Sequence, residues 1–336
     1  MSRSSHDLLG RLLREVSRSF YLTMRVLPGP IRPQIGLAYL LARASDTIAD
    51  TALVPPARRL CVLRHLRERI QGSNHVPLEL AEIARHQGAA GEPELLERCE
   101  EVLALMETFS EGDQRLIREV LAVITSGQEL DLTRFAEAGP VRIVALNTDE
   151  EFDDYTYRVA GCVGEFWTRT CRTHLFPEAE LDDEWFLRNG IRFGQGLQSV
   201  NILRDLALDL RHGRCYLPEV RLWALGLTPT DLLNPENEAR FRPVYDAYLD
   251  DAEAHLAAGW EYTLRLPRSQ VRVRLACAWP VLIGIRTLSK LRASNVLAPE
   301  LRIKVARPEL RWLILQSVLF YPWPAAWRRL FHRADE

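Results

Sequence analysis

A chain of 336 residues with 47% hydrophobic side chains is long enough to bury one large core or two smaller ones. Its formal net charge of −2, with no long block of one sign, gives no electrostatic basis for binding nucleic acid. The six cysteines form no C-x-x-C pair and lack the dense spacing of a secreted disulfide framework, so a reducing, cytoplasmic setting is expected.

Apolar residues recur at three- and four-residue spacing through most of the chain, and alternating β-branched runs are scarce, which predicts a nearly all-α protein. The first predicted helix, 5–24, is amphipathic and lacks the apolar run and cleavage site of a signal peptide. The next, 33–53, is set off by Pro28-Gly29-Pro30 and by Pro55-Pro56. Tyr39, Arg43, Asp46 and Asp50 follow spacings of four, three and four there, along one stripe. Helices over 56–71, 94–110, 113–132 and 150–173 follow, the last carrying YTYRVAGCVG. Helix 183–211 repeats the polar stripe as Gln198, Asn201, Asp205 and Asp209. Its Gly190, Gly194 and Gly196 predict a kink, close packing beside a bulky apolar ligand, or a short break before Gln198. Helices over 237–264, 271–292 and 308–320 complete the chain. The apolar stretch from Trp312 to Trp327 is shorter than the ~20 residues of a membrane span and is broken by Pro322 and Pro324. One bundle over 1–336, with 316–336 as a C-terminal tail, brings the two acidic stripes together most simply.

A D-x-x-x-D spacing puts two carboxylates on one helix face with Cβ atoms roughly 5–6 Å apart, close enough to share hard divalent cations. Two such faces would clamp a magnesium-bound diphosphate, whose departure is eased by cations and arginines that stabilise the developing negative charge. Arg18, Arg43, Arg204 and Arg214 stand near these motifs in sequence. The competing reading is a solvated helix face with an internal Arg43–Asp ion pair and surface arginines elsewhere.

Taken together, SRSF at 17–20, YLLARASDTIAD at 39–50, YTYRVAGCVG at 155–164 and QSVNILRDLALD at 198–209 resemble the squalene and phytoene synthase family. The motifs stand in family order, and the resemblance covers about 17–315. It implies the all-α isoprenoid synthase fold, a helical bundle around a central cavity, and a magnesium-dependent head-to-head joining of two prenyl diphosphates through a cyclopropyl intermediate. By residue match, Asp46, Asp50, Asp205 and Asp209 bind the magnesium–diphosphate clusters. Arg18, Arg43 and Arg214 contact diphosphate, while Tyr39, Gln198 and Asn201 fall at polar, substrate-facing positions. Tyr155 matches the tyrosine that assists proton removal or steadies the carbocation. Ala49 stands where animal and fungal relatives carry an extra acidic residue, and Arg158 where several animal enzymes have tyrosine. With no spanning tail, these departures point to a bacterial-type soluble form.

ACAWPVLIGIRTLSKL and LRIKVARPELRWLI look more like squalene synthases than phytoene synthases. This implies farnesyl diphosphate as substrate and NADPH as reductant, with Arg302 and Lys304 near the nucleotide phosphates. The alternatives are a non-reducing phytoene or dehydrosqualene synthase, an enzyme that stops at presqualene diphosphate, and an inactive isoprenoid-binding scaffold. Peripheral membrane contact through the aromatic and arginine-rich tail LFYPWPAAWRRLF is a further expectation, with burial of those aromatics as its rival.

Overall fold

The computed structural model describes residues 3–17, 21–298 and 303–335. Its main helices are α1 (Arg32–Asp50), α2 (Pro56–Gln71), α3 (Glu92–Glu97), α4 (Cys99–Met106), α5 (Glu111–Arg134), α6 (Asp149–Thr156) and α7 (Cys162–Leu175). They continue with α8 (Asp183–Arg211), α9 (Glu238–Arg265), α10 (Val271–Arg292), α11 (Arg307–Leu319), α12 (Pro324–Arg328) and α13 (Leu330–Asp335). The all-α expectation holds, and α2, α8 and α10 have the predicted ends. The predicted helix 94–110 is instead two helices, α3 and α4, separated at Arg98. The predicted helix 150–173 is interrupted by one π-helical turn over Tyr157–Gly161.

By internal packing the described chain separates into two units. The first comprises residues up to 136 together with 166–179. In it α1 packs on α2, α4 and α5, with Leu37, Leu40, Leu41 and Ile48 buried against Leu63, Leu66, Ile117 and Leu121 in one core. Each such side chain contributes about 1.5–3 kcal/mol by leaving water. Ser110 caps α5 by accepting the Asp113 amide at 3.2 Å. The buried Asp113 carboxylate in turn accepts from Gln34 Nε2 at 3.2 Å and lies 2.6 Å from His174 Nε2.

The second unit comprises 137–165 and the chain from 180 onward. α8 lies along α9, α9 along α10, and fully buried Phe241, Tyr245 and Tyr262 fill the layer. Tyr245 Oη donates to the Leu203 carbonyl at 3.0 Å, so its one polar atom is satisfied in the core. Two short strands that periodicity did not anticipate, β1 (Val144–Leu146) and β2 (Arg214–Pro218), pair in parallel, Val144 opposite Arg214.

Candidate active site

The first acidic pair rides on the last turns of α1. Leucines and alanines bury the rest of that helix, which leaves Tyr39, Arg43 and Asp46 half-buried and Asp50 exposed on its polar stripe. The helix end is fixed from outside. Buried Arg59 donates from Nη1 to the Ala49 carbonyl at 2.5 Å, placing a cation at the negative end of the helix. Arg59→Ala should therefore lower stability by about 1–3 kcal/mol, read from the denaturation midpoint, because the carbonyl loses a charged donor.

Two neighbours of this stripe carry no motif and were not found by sequence reasoning. Gln128, from α5, donates its amide to Asp46 Oδ1. Glu92, at the start of α3, accepts from Arg43 Nη2. The ion pair of Arg43 is thus made with Glu92, where the competing sequence reading had it with a motif aspartate. Tyr39 donates to the Val16 carbonyl at 3.4 Å.

The ionised form of Asp46 is disfavoured here. Burial first, and then the neighbouring Asp50 carboxylate, push the Asp46 carboxyl up to about 7, against the opposing pull of Arg43 and Gln128. Arg43 Nε and Gln128 Oε1 are buried with no hydrogen-bond partner. Two neighbouring carboxylates, one of them costly to ionise, suit a divalent cation, and the unused guanidinium nitrogen of Arg43 suits a phosphate oxygen. Among the described residues no three His, Cys, Asp or Glu side chains converge as a ready metal cage. A pair of aspartates fits Mg²⁺, which keeps several waters and shares phosphate oxygens with one or two carboxylates.

The second acidic pair lies near the end of α8, which runs unbroken through its glycines to Arg211. The break before Gln198 is therefore absent. Ile202, Leu203, Leu206 and Leu210 are buried, while Gln198, Asp205 and Asp209 are half-buried and Asn201 is exposed. Asn201 donates to Gln198 Oε1 at 3.4 Å. Arg204 grips the Asp205 carboxylate with two donors, at 2.9 and 2.5 Å. Beyond Gly213, whose φ of 81° needs no Cβ, the chain enters β2 with Arg214 at its first position. Gly213 also lies against backbone: a Cβ there would stand 2.2 Å from the Gly139 nitrogen.

Tyr155, on α6, is buried and stacks on Tyr216 of β2 with ring centroids 4.6 Å apart. The strand after the second acidic motif therefore supports the aromatic of the YTYRVAG motif, a partnership invisible in the spacing. Arg158 is held by Asp154 at 2.8 Å. Glycines of the YTYRVAGCVG motif and of α8 are used for backbone contact. A Cβ at Gly164 would lie 1.9 Å from the Gly190 carbonyl oxygen, and one at Gly194 would lie 2.1 Å from the Ala160 oxygen. The π turn and α7 thus cross α8 without intervening side chains. Of the remaining expected contacts, Arg18 and Arg302 lie outside the described residues, and Lys304 is exposed, its carbonyl 3.4 Å from Lys290 Nζ.

The squalene/phytoene synthase family profile matches residues 13–309. The chain belongs to this family. It is 29% identical over 256 residues to a bifunctional lycopene cyclase/phytoene synthase of Aspergillus oryzae, covering 75% of this chain and 42% of that protein. A squalene synthase of Mycosarcoma maydis is 27% identical across 90% of this chain and 53% of its own length. A presqualene diphosphate synthase of Rhodopseudomonas palustris is 29% identical across 90% of this chain and 93% of its own length. The chain spans 36–64% of the length of the fungal relatives it matches. In fold it is similar to TcSQS solved with a ligand, at a TM-score of 0.76 and 21% identity over 98% of both chains. The fold is accordingly the helical isoprenoid synthase fold.

Proposed function

We propose that the chain condenses two farnesyl diphosphates to presqualene diphosphate and reduces this to squalene with NADPH. The observation that carries the site is the Asp46 carboxyl, pushed up by burial and by Asp50 beside a buried Arg43 Nε that has no hydrogen-bond partner. Magnesium, when bound, would supply Lewis-acid stabilisation of the departing diphosphate. The chain's own groups do the rest. Asp46, Asp50, Asp205 and Asp209 hold the metal-bound phosphates in place, and Arg43 and Arg214 donate to oxygens on which charge grows. Arg18 and the polar stripe residues Tyr39, Gln198 and Asn201 complete the diphosphate and substrate contacts.

The carbon–oxygen bond of one substrate breaks with its electron pair leaving on diphosphate. The double bond of the second substrate attacks the allylic cation, and loss of a proton closes the cyclopropane ring. Tyr155 offers its ring face to positive charge and its oxygen to the proton. Stacking on Tyr216 fixes the ring before charge develops, so little reorganisation is needed. NADPH, when bound, would supply the hydride that opens the ring as the second diphosphate leaves, and Arg302 and Lys304 would hold its nucleotide phosphates.

A second reading stops at presqualene diphosphate. It is favoured by the Rhodopseudomonas palustris relative, which this chain matches over 93% of its length. Product analysis with farnesyl diphosphate and Mg²⁺ separates the two. Squalene is expected only when NADPH is added. Presqualene diphosphate as end product in its presence establishes the second reading, and phytoene from geranylgeranyl diphosphate as dominant product overturns both. Mg²⁺ with a farnesyl thiodiphosphate should raise the melting temperature jointly, since both bind the native state. Joint binding without turnover under any donor condition would establish the scaffold reading instead.

Among the described residues no helix is long and apolar enough to cross a membrane. The single-bundle arrangement of the two acidic motifs over 1–336 remains part of this proposal.

A further inference from the structure

The C-terminal tail expected to touch a membrane is divided, its Trp327, Leu330 and Phe331 being buried and its Leu319, Trp323, Arg328 and Arg329 exposed. Trp327, Leu330 and Phe331 lie in the second unit. Trp327 stacks on Trp260 at 4.9 Å and lies under the Arg274 guanidinium at 4.8 Å. The exposed apolar surface is on α11. Trp312, Leu315, Val318 and Leu319, spaced three, three and one apart, are each half or more exposed, and Trp323 continues the row beyond the helix end. The inner face of α11 is pinned. Buried Ser317 accepts the Trp279 indole at 2.9 Å, and its carbonyl accepts the Trp327 indole at 2.8 Å. The helix therefore cannot roll to hide its outer row.

Charge around this row is one-sided. Over 303–335 the sequence has Lys304, Arg307, Arg311, Arg328, Arg329 and Arg333 against Glu309 and Asp335, in a chain whose net charge is −2. All six cations are exposed. Glu309 is already held by Lys290 at 2.6 Å and by Arg286 at 3.3 Å. Beside Trp312 and Gln316 a cavity of about 270 Å³ has Arg286 and Arg333 in its wall together with Glu309, room for one phosphate-bearing headgroup.

We propose that the outer face of α11, with Trp323 and its ring of arginines, docks on an anionic lipid surface. The apolar row would enter the headgroup boundary, the two tryptophans would sit at its edge, and the arginines would pair with lipid phosphates. A second copy of this chain fits poorly, because a two-fold contact would bring both basic rings face to face. The placement also suits a greasy product that must leave for a bilayer, although the test below is independent of turnover.

The experiment is flotation of the full chain with vesicles of phosphatidylcholine alone or mixed with phosphatidylglycerol. Binding to the mixed vesicles is expected to exceed that to the neutral ones by roughly tenfold at low salt, and to fall as salt is raised. Leu315→Ser with Leu319→Ser, and separately Trp312→Ser, should each cut binding several-fold with melting temperature and turnover unchanged, since these side chains are exposed. Joint replacement of Arg311, Arg328 and Arg329 by glutamine should abolish the preference for phosphatidylglycerol. Point substitutions are used because removing the residues after Tyr321 would strip Trp327 and Phe331 from the core. Absence of binding to anionic vesicles overturns the proposal, as does binding indifferent to both the serine and glutamine changes. A dimer in solution that Leu315→Ser dissociates would assign the face to self-association and overturn it equally.

Discussion

Asp46→Asn or Asp205→Asn is expected to lower turnover of farnesyl diphosphate by about 10³-fold or more, measured as diphosphate release at saturating Mg²⁺, with helical content retained. Asparagine keeps the size and one oxygen of each side chain but removes the charge that a divalent ion needs. Activity at the unsubstituted level in either variant would remove that residue from the site.

For Asp46 the same substitution should separate function from stability. Its carboxyl titrates near 7 in the folded chain, because burial and Asp50 disfavour its charge, against about 3.9 in an unfolded one. Between those values the native state binds more protons than the unfolded state, so stability falls as pH rises from about 4 to 7 and stays low above. Without metal, Asp46→Asn should therefore melt higher than the parent at pH 8, by on the order of 1–3 kcal/mol in free energy after allowance for partial exposure. At pH 4, where the parent carboxyl is protonated in the folded chain, the advantage should disappear. A variant that is less stable than the parent at pH 8 would show that the pair is balanced by groups other than a bound cation. The expected pattern is that of a site whose stability is sacrificed for binding.

Gly164→Ala and Gly194→Ala should each cost about 3 kcal/mol or more. The new methyl group would meet backbone oxygen at 1.9 or 2.1 Å, and backbone on a packed helix cannot swing aside as a side chain does. Denaturant midpoints should drop sharply, and the Tyr155 end of the crossing should open with it. Gly112→Ala is the comparison, because its Cβ would meet only Ser110 Oγ at 4.0 Å. There, loss of backbone freedom in the unfolded chain should leave stability unchanged or raised by up to about 1 kcal/mol. Equal effects at Gly112 and Gly164 would exclude steric contact as the cause.

Much of this architecture was legible from periodicity. α8 and α10 begin and end where the sequence predicts, because long runs with apolar residues at three- and four-residue spacing, bounded by Asp182 or by Pro267 and Ser269, leave few alternatives. The acidic stripes were legible for the same reason: both partners of each pair lie on one helix. What escaped was made by contacts between elements. Gln128 reaches Asp46 from α5, and Glu92 meets Arg43 from α3, with no spacing to announce either. Tyr216 was hidden in a strand too short to show alternation. The glycines were noticed, but a kink, close packing beside a bulky apolar ligand, or a short break was what their helix was expected to show. Their observed use, letting backbone touch backbone, depends on Ala160 and Gly190 arriving from separate helices.

The π turn over Tyr157–Gly161 sets the phase of everything that follows it. It accommodates one residue more than an α-helical path between Tyr155 and Gly164, and one residue is worth ~100° of rotation about the helix axis. The aromatic that stacks on Tyr216 and the glycine that meets Gly190 are thereby aimed independently on what is nominally one helix. Deleting a single residue here would turn one end of the helix against the other, carrying either the tyrosine or the glycine off its partner. Length in this segment is thus under tighter constraint than the identity of any exposed side chain within it.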